Sequence, residues 1–151
     1  MKKTILSIIA ALILGVGLTS CEHQTMRTKE ILVPGSAWQI SQPVQGAPFL
    51  YCDVAWPELT GDVTDYGTVN VYLVQNGAQN PLPLIAPLIY YDVDMDGNGS
   101  IDYDQYVVNE NIRFQLSYGM VRLIIQWDDY GLPFDYNNIE NLYFRIVALG
   151  D

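Results

Sequence analysis

The stretch "NIRFQLSYGMVRLIIQW" at residues 111–127 decides the fold class of this chain. Ile112, Phe114 and Leu116 alternate with polar residues, and a period of two places apolar side chains on one face of a β-strand. A second apolar run follows after Tyr118-Gly119, and a short turn of this kind joins antiparallel strands. The segment therefore predicts a β-hairpin with one apolar face.

Similar strand signals continue through most of the chain, and no long stretch has helical periodicity. In "GTVNVYLVQ" at 67–75, Val69, Val71 and Leu73 share one face of the predicted strand. Short strands at such regular spacing indicate an antiparallel, immunoglobulin-like β-sandwich of seven to eight strands, with one domain over residues 36–151. The predicted strands cover 36–41, 49–56, 67–75, 88–93, 103–108, 111–118, 120–127 and 141–149.

The first 20 residues are typical of a bacterial secretion signal. Two lysines precede an apolar run, residues 5–18, that is shorter than the roughly 20 residues of a membrane span. "LTSC" at 18–21 resembles a lipobox, which implies cleavage before Cys21 and diacylation of its thiol. An ordinary signal peptide with a chance cysteine is the alternative. We expect a signal peptide at 1–20, a lipidated cysteine and short tether at 21–35, and an outer-membrane lipoprotein of the bacterial cell envelope, on its periplasmic or its surface face.

Charge restricts the partners of the mature chain. Without residues 1–20, five basic residues face seventeen acidic ones, so the formal charge is 5 − 17 = −12. A surface this acidic repels phosphate backbones, so no nucleic-acid partner is expected. It also disfavours electrostatic attraction to anionic lipid, which leaves the N-terminal lipid as the expected attachment to the membrane.

One family resemblance covers most of residues 36–149. "LTGDVTDYGTVNVYL" at 59–73, together with Trp38, Tyr51, Leu82-Pro83 and "FRIVAL" at 144–149, is similar to a group of small lipoproteins common in Bacteroidota. The resemblance implies a β-sandwich at the cell envelope. It implies no activity and no catalytic residues, since that group has no established function.

An acidic segment, "DVDMDGNGSIDYD" at 92–104, has the spacing of a calcium-binding loop. An EF-hand loop needs side-chain oxygens at its positions 1, 3 and 5, a glycine at position 6 and a bidentate glutamate at position 12. Gly99 takes the glycine position. The candidate ligands are Asp94, Asp96, Asn98, Ser100, Asp102 and Gln105. An alternative frame starts at Asp92, uses Asp94 and Asp96 as well, and closes with Asp102 or Asp104.

Two features of the segment depart from an EF-hand. Gln105 is neutral and offers one oxygen where the bidentate glutamate belongs, and the flanks have the composition of strands, with prolines that break helices. A plain acidic hairpin turn is the alternative, since Asp-Gly and Asn-Gly favour such turns. Because carboxylates facing each other across strands repel, we predict a strand-flanked loop with calcium as a structural ligand.

Aromatic residues suggest a different ligand, a glycan stacked on an aromatic platform. The chain has eleven tyrosines and three tryptophans, although both types also fill the cores of β-sandwiches. The candidate ligand-binding residues are Tyr90, Tyr103, Tyr106, Trp127 and Tyr130.

Catalytic signals are weak. His23 is the only histidine and lies outside the predicted domain, which excludes Ser-His-Asp triads and histidine-ligated zinc there. Cys52 is predicted to be a buried, inert thiol. We expect a lipid-anchored, non-catalytic binding or structural module, an adhesion accessory stabilised by calcium, with an envelope protein as partner. A glycan-binding module of a polysaccharide-handling system is the alternative, and a glycoside-acting enzyme is third.

Overall fold

The computed structural model describes residues 25–41, 47–94, 97–128 and 139–150. Expectations for Cys21, Asp96 and Tyr130 lie outside these residues. The described part contains nine strands, a 3₁₀ turn at Gly35–Ala37 and a π-helical turn at Asp62–Tyr66, and no helix in it is long and apolar enough to cross a membrane. The strands are β1 (Thr25–Val33), β2 (Gln39–Ser41), β3 (Phe49–Ala55), β4 (Thr68–Gln75), β5 (Ala78–Pro81), β6 (Leu84–Val93), β7 (Tyr103–Ser117), β8 (Met120–Trp127) and β9 (Leu142–Gly150).

The strands form two antiparallel sheets arranged as a β-sandwich. The first sheet has the order β1-β9-β4-β5 and the second has the order β2-β3-β8-β7-β6. The predicted all-β, antiparallel character is confirmed. The finer expectation, an immunoglobulin-like strand order, is not confirmed; in the described strands β1 pairs antiparallel with the last strand, β9.

The core lies between the two sheets. Leu73 of β4 and Phe144 of β9 meet residues of the second sheet, among them Leu50 and Leu123, and all four are at most 1% exposed. The Trp38 ring packs edge-on against Phe144, with 6.4 Å between ring centroids. Each buried Leu or Phe side chain stabilises the fold by about 1.5–3 kcal/mol, so this common core holds the sheets together.

The expectation of a tether over residues 21–35 is wrong for β1. Residues 25–33 pair along their whole length with β9, and Arg27 and Lys29 share a face with the buried Ile146 and Ala148. The Arg27 guanidinium donates a hydrogen bond to the Glu58 carbonyl, and the Lys29 ammonium donates one to the carbonyl of Ala55. The long side chains of Arg27 and Lys29 thus bury their aliphatic parts and keep a polar partner for their charged groups. Because charged residues occupy positions where apolar ones are expected, the sequence does not show the alternation of a strand here.

Two further strand expectations differ from the structure. The predicted strands 103–108 and 111–118 form one continuous strand, β7, and residues 78–81 form a short strand, β5, after the turn at Asn76-Gly77. The predicted turn at Tyr118-Gly119 is confirmed, with Gly119 at φ +69° between Ser117 and Met120. The positions of these turns could therefore be predicted from nearby residues, whereas the lengths of the strands depend on pairing with strands that are distant in the chain.

One end of the sandwich collects the first residue of β1 and the last residues of β7 and β9. Thr25 pairs with Gly150, and Gly150 packs against Val63 of the π-helical turn. The Tyr118 hydroxyl donates a 2.9 Å hydrogen bond to Asp65 in the same turn. We name this the β1 end. The last residue of β7, Ser117, lies at the β1 end, and its first residue, Tyr103, lies at the other end of the strand. A strand of 15 residues is about 50 Å long, so Tyr103 is up to that distance from the β1 end.

Candidate functional site

The hairpin of β6 and β7 extends beyond the rest of its sheet. Pairing of β7 with β8 stops at Glu110 opposite Trp127, whereas pairing with β6 continues to Tyr103 opposite Val93. Asp128 ends the β8 ladder, because its carboxylate accepts hydrogen bonds from the backbone and the side chain of Asn109. These bonds, the side-chain one first, hold the pKa of Asp128 below its usual value.

Apolar side chains are exposed along this hairpin. Seven of the thirteen large hydrophobic residues that are exposed in the described part fall between residues 85 and 107, so exposure is concentrated there. One face carries four of them, with Ile89 opposite Val107, Tyr91 in the next row and Ile85 beyond the row of Pro87. We name this face the outer stripe, and its residues are Ile85, Ile89, Tyr91 and Val107.

The opposite face of the hairpin continues the core side of the sheet. Tyr90 and Tyr106 are paired there, and the Tyr103 and Tyr106 rings lie 5.2 Å apart between centroids. Burial raises the pKa of Glu110 on this face. Burial first, and then the charge of Glu110, raises the pKa of Tyr90. An apolar, partly desolvated surface therefore surrounds one carboxyl group.

The acidic turn is organised around Asp94. Both of its carboxylate oxygens accept backbone N–H groups, at 2.8 Å from Gly97 and 2.6 Å from Gly99, and Asn98 donates a longer bond of 3.2 Å. The Asn98 side chain accepts the Ser100 N–H at 2.7 Å. Gly99 has φ +87°, a conformation that favours glycine, as its place in the predicted loop requires.

The flanks of the turn are strands, as predicted, and not the helices of an EF-hand. Gln105 lies within β7 opposite Tyr91, and Asp92 and Asp104 lie between that pair and the Val93–Tyr103 pair. Among the residues that the structure describes, which exclude Asp96, no three Asp, Glu, His or Cys side chains converge closely enough to hold a metal ion. The calcium site stays a prediction.

The aromatic candidates are only partly brought together. Tyr90, Tyr103 and Tyr106 meet at the hairpin. Trp127 does not join them, because it pairs with Glu110 further along β7 and packs against the core. The outer stripe could not be identified from the sequence, because residues 84–91 are all apolar or aromatic and no alternation shows which face of β6 is covered.

Polar pairs elsewhere tie neighbouring strands together. On the second sheet, Arg122 forms a bidentate pair with Asp53, at 2.7 and 2.8 Å, and stacks over the Tyr51 ring at 4.5 Å. On the first sheet, Glu30 accepts hydrogen bonds from Tyr143 and Arg145, which lower its pKa in that order. These pairs join adjacent strands, so we assign them a structural role and not a functional one.

The remaining reactive group is Cys52 in β3. Burial first, and then the neighbouring charge of Asp53, raises the pKa of its thiol, so the reactive thiolate is disfavoured. The side chain is half-buried and packs against the core. Comparison of the chain with known protein families, curated proteins and solved structures gave no match.

Proposed function

We propose that this chain is a lipid-anchored protein of the bacterial cell envelope, and that it binds an envelope protein through the β6–β7 hairpin without catalysing a reaction. The observation that carries the proposal is the outer stripe, where Ile85 is 64% and Tyr91 is 69% exposed. Soluble proteins rarely expose contiguous apolar surface unless a partner covers it. Aromatic residues are also enriched at protein interfaces.

The anchor rests on the N-terminal sequence. A cleaved signal peptide at 1–20 and acylation of Cys21 follow from the lipobox resemblance, and either the periplasmic or the surface face of the outer membrane agrees with it. An acyl group holds a protein to a membrane without a span. The β1 end then lies nearest to the membrane, and β7 carries the hairpin turn away from it.

Charge defines the partner further. Residues 84–112 contain no lysine or arginine, and five aspartates surround the turn. A partner that covers the outer stripe therefore fits best if it has an apolar surface beside basic side chains, because complementary charge guides association and disfavours wrong partners.

Calcium belongs to the same proposal as a structural ligand. Asp94 already shapes the turn through backbone hydrogen bonds, and the oxygen-bearing residues of 94–102 retain calcium-loop spacing. A calcium ion would neutralise the like charges of the turn and order it. Outside the cytoplasm, a site with a Kd of about 10⁻⁴–10⁻³ M is sufficient for such a role.

Site-specific cross-linking tests the hairpin as the binding element. A photoreactive phenylalanine analogue replaces Ile89 in the acylated full chain, and a matched variant carries it at Asn70, an exposed position of β4. We expect Ile89 to cross-link to an envelope protein, and added unlabelled wild-type chain to compete, whereas Asn70 gives no product. Equal cross-linking from both positions would contradict the proposal.

Glycan binding is the second candidate, favoured by the meeting of Tyr90, Tyr103 and Tyr106. The rings of Tyr103 and Tyr106 are tilted by 53° to each other, and aromatic rings offer apolar faces of the kind that sugars pack against. Binding on a glycan array that is lost in Tyr103→Ala and retained in Tyr66→Ala, an exposed tyrosine of the β1 end, would favour this function. Turnover of a polysaccharide, abolished by a single Asp→Asn substitution, would instead support the glycoside-acting enzyme.

A further inference from the structure

The β1 end exposes a second group of large apolar and aromatic side chains. Tyr66 is 89% exposed, and Met26 and Tyr118 are each 68% exposed. They come from three separate parts of the chain: β1, the π-helical turn and the β7–β8 turn. The outer stripe cannot include them, because they lie at the other end of β7.

Contacts place these residues around one surface. Met26 pairs with Leu149, and Leu149 pairs with Thr68, two residues after Tyr66. The Tyr118 hydroxyl bonds to Asp65, the residue before Tyr66. The β1 end therefore carries Met26, Tyr66 and Tyr118 as one group, which we name the basal group.

Chain length decides what the basal group can reach. Only residues 22–24 separate Cys21 from the first residue of β1. Four Cα-to-Cα steps span at most about 14 Å in any conformation. An acyl group on Cys21, with its chains in the membrane, therefore keeps Thr25 and the surrounding β1 end beside the headgroups.

Side-chain chemistry fits that location. Tyrosine is enriched at membrane interfaces, where its ring meets the apolar boundary and its hydroxyl remains hydrated. Two of the five basic residues of the mature chain, Arg27 and Lys29, lie at the β1 end. Glu58, Asp62 and Asp65 lie there too, and Glu22 and Asp151 adjoin this end in the chain, so its net charge is negative and a zwitterionic lipid surface suits it better than an anionic one.

We infer that the basal group contacts a zwitterionic phospholipid surface directly, so that the anchored sandwich stands with its hairpin directed away from the membrane. The inference rests on the lipid anchor of the proposed function. A domain held only by its N-terminal lipid could lie on its side and hide the outer stripe. Contact by three side chains restricts that rotation.

The test uses the acylated full chain labelled with 3-fluorotyrosine, in zwitterionic lipid nanodiscs that contain a spin-labelled phospholipid. Tyr→Phe variants assign the fluorine signals, and the mass of the N-terminal peptide reports acylation at Cys21. We expect strong broadening of the Tyr66 and Tyr118 signals. The signals of Tyr91 and Tyr103 on the hairpin should keep their widths.

A matched pair of variants isolates the contact. Tyr66→Ser should reduce the broadening of Tyr118 at least twofold, whereas Tyr91→Ser, at a similarly exposed site of the hairpin, should leave it unchanged. Acylated protein whose basal signals stay sharp, or whose hairpin signals broaden equally, overturns the inference and leaves the anchor standing. A Cys21 without an acyl group overturns both.

Discussion

Strands β4 and β6 look alike in sequence and behave differently in the fold. Both are rich in apolar residues, which alternate with other residues in TVNVYLVQ and form an unbroken apolar and aromatic run in LIAPLIYY, but β4 buries Val71 and Leu73, whereas no residue of β6 is buried. β4 lies between β9 and β5, while β6 is the edge of its sheet and pairs only with β7. An apolar sequence therefore favours a strand, but its side chains are buried only where a second layer covers them.

This difference gives the two strands separate roles. The buried side chains of β4 stabilise the fold, because they and the side chains that they contact are removed from water on folding. Those of the outer stripe contribute little to folding, and they can be covered by a partner at no cost to the sandwich. Four experiments test the contrast, ordered from the largest expected effect to the smallest.

Leu73→Ala against Ile89→Ala compares the two strands directly. Leu73 is fully buried, so its truncation should lower the free energy of unfolding by about 2–5 kcal/mol, the range for buried leucine. Ile89 is 49% exposed and should cost about 0.5 kcal/mol or less. Urea unfolding at constant m-value measures both. Similar losses would show that the hairpin belongs to the core.

Calcium should stabilise the folded chain by binding at the acidic turn of the hairpin. With a Kd of about 10⁻⁴ M, 1 mM calcium stabilises the folded state by about 1.4 kcal/mol relative to chelator. The difference in melting temperature should vanish in Asp102→Asn and persist in Asp65→Asn at the β1 end. Equal melting temperatures of the wild-type chain with calcium and with chelator would remove calcium from the proposal.

Glu110 tests the boundary between core and hairpin. Because burial raises its pKa, the folded state is favoured below the ordinary pKa of 4.5, and this stability is lost as pH rises through the raised value. At pH 7 the charged form is disfavoured, so Glu110→Gln should raise the melting temperature by a few degrees.

The gain from Glu110→Gln should shrink to nothing near pH 4, where the wild-type carboxyl is itself neutral. Glu140→Gln at an exposed site is the control and should change the melting temperature at neither pH. A gain at pH 7 that is still present at pH 4 would mean that packing of the glutamine, and not removal of the charge, causes it.

Shortening the hairpin should have the smallest effect on stability. Replacing residues 91–105 by Asn-Gly joins Tyr90 to Tyr106, which already face each other across the strands. The midpoint of urea unfolding should stay nearly constant, and cross-linking from Ile89 to the partner should fall, because Tyr91 and the five aspartates of the turn are removed. A large drop in the midpoint would place the hairpin turn among the elements that hold the sandwich together.

Local chemistry was readable from the residues themselves. The alternation of Val71 and Leu73 identified a strand face, and the glycines at 77 and 119 marked two turns at positive φ. β1 was missed because Arg27 and Lys29 sit where apolar residues are expected. Their backbone carbonyl partners, Glu58 and Ala55, are distant in the chain.

The candidate site was predicted in part. The acidic turn and three of its neighbouring tyrosines were visible as a cluster in the sequence, and the structure places them on one hairpin. The outer stripe was not visible, since Ile85 and Ile89 have the residue types of core positions. Their exposure, like that of Val107 on β7, depends on which face of the sheet the other sheet covers, and that is a property of the whole chain.

By itself, the sequence determined that this chain forms antiparallel strands, where several of its turns fall and that its charge is strongly negative, because these depend on residues close together in the chain. Only the tertiary structure decided that β1 pairs with β9, that Glu110 is desolvated, and that β6 is left at an edge. Each of these depends on which distant residues remove water from a side chain, and no local pattern contains that information.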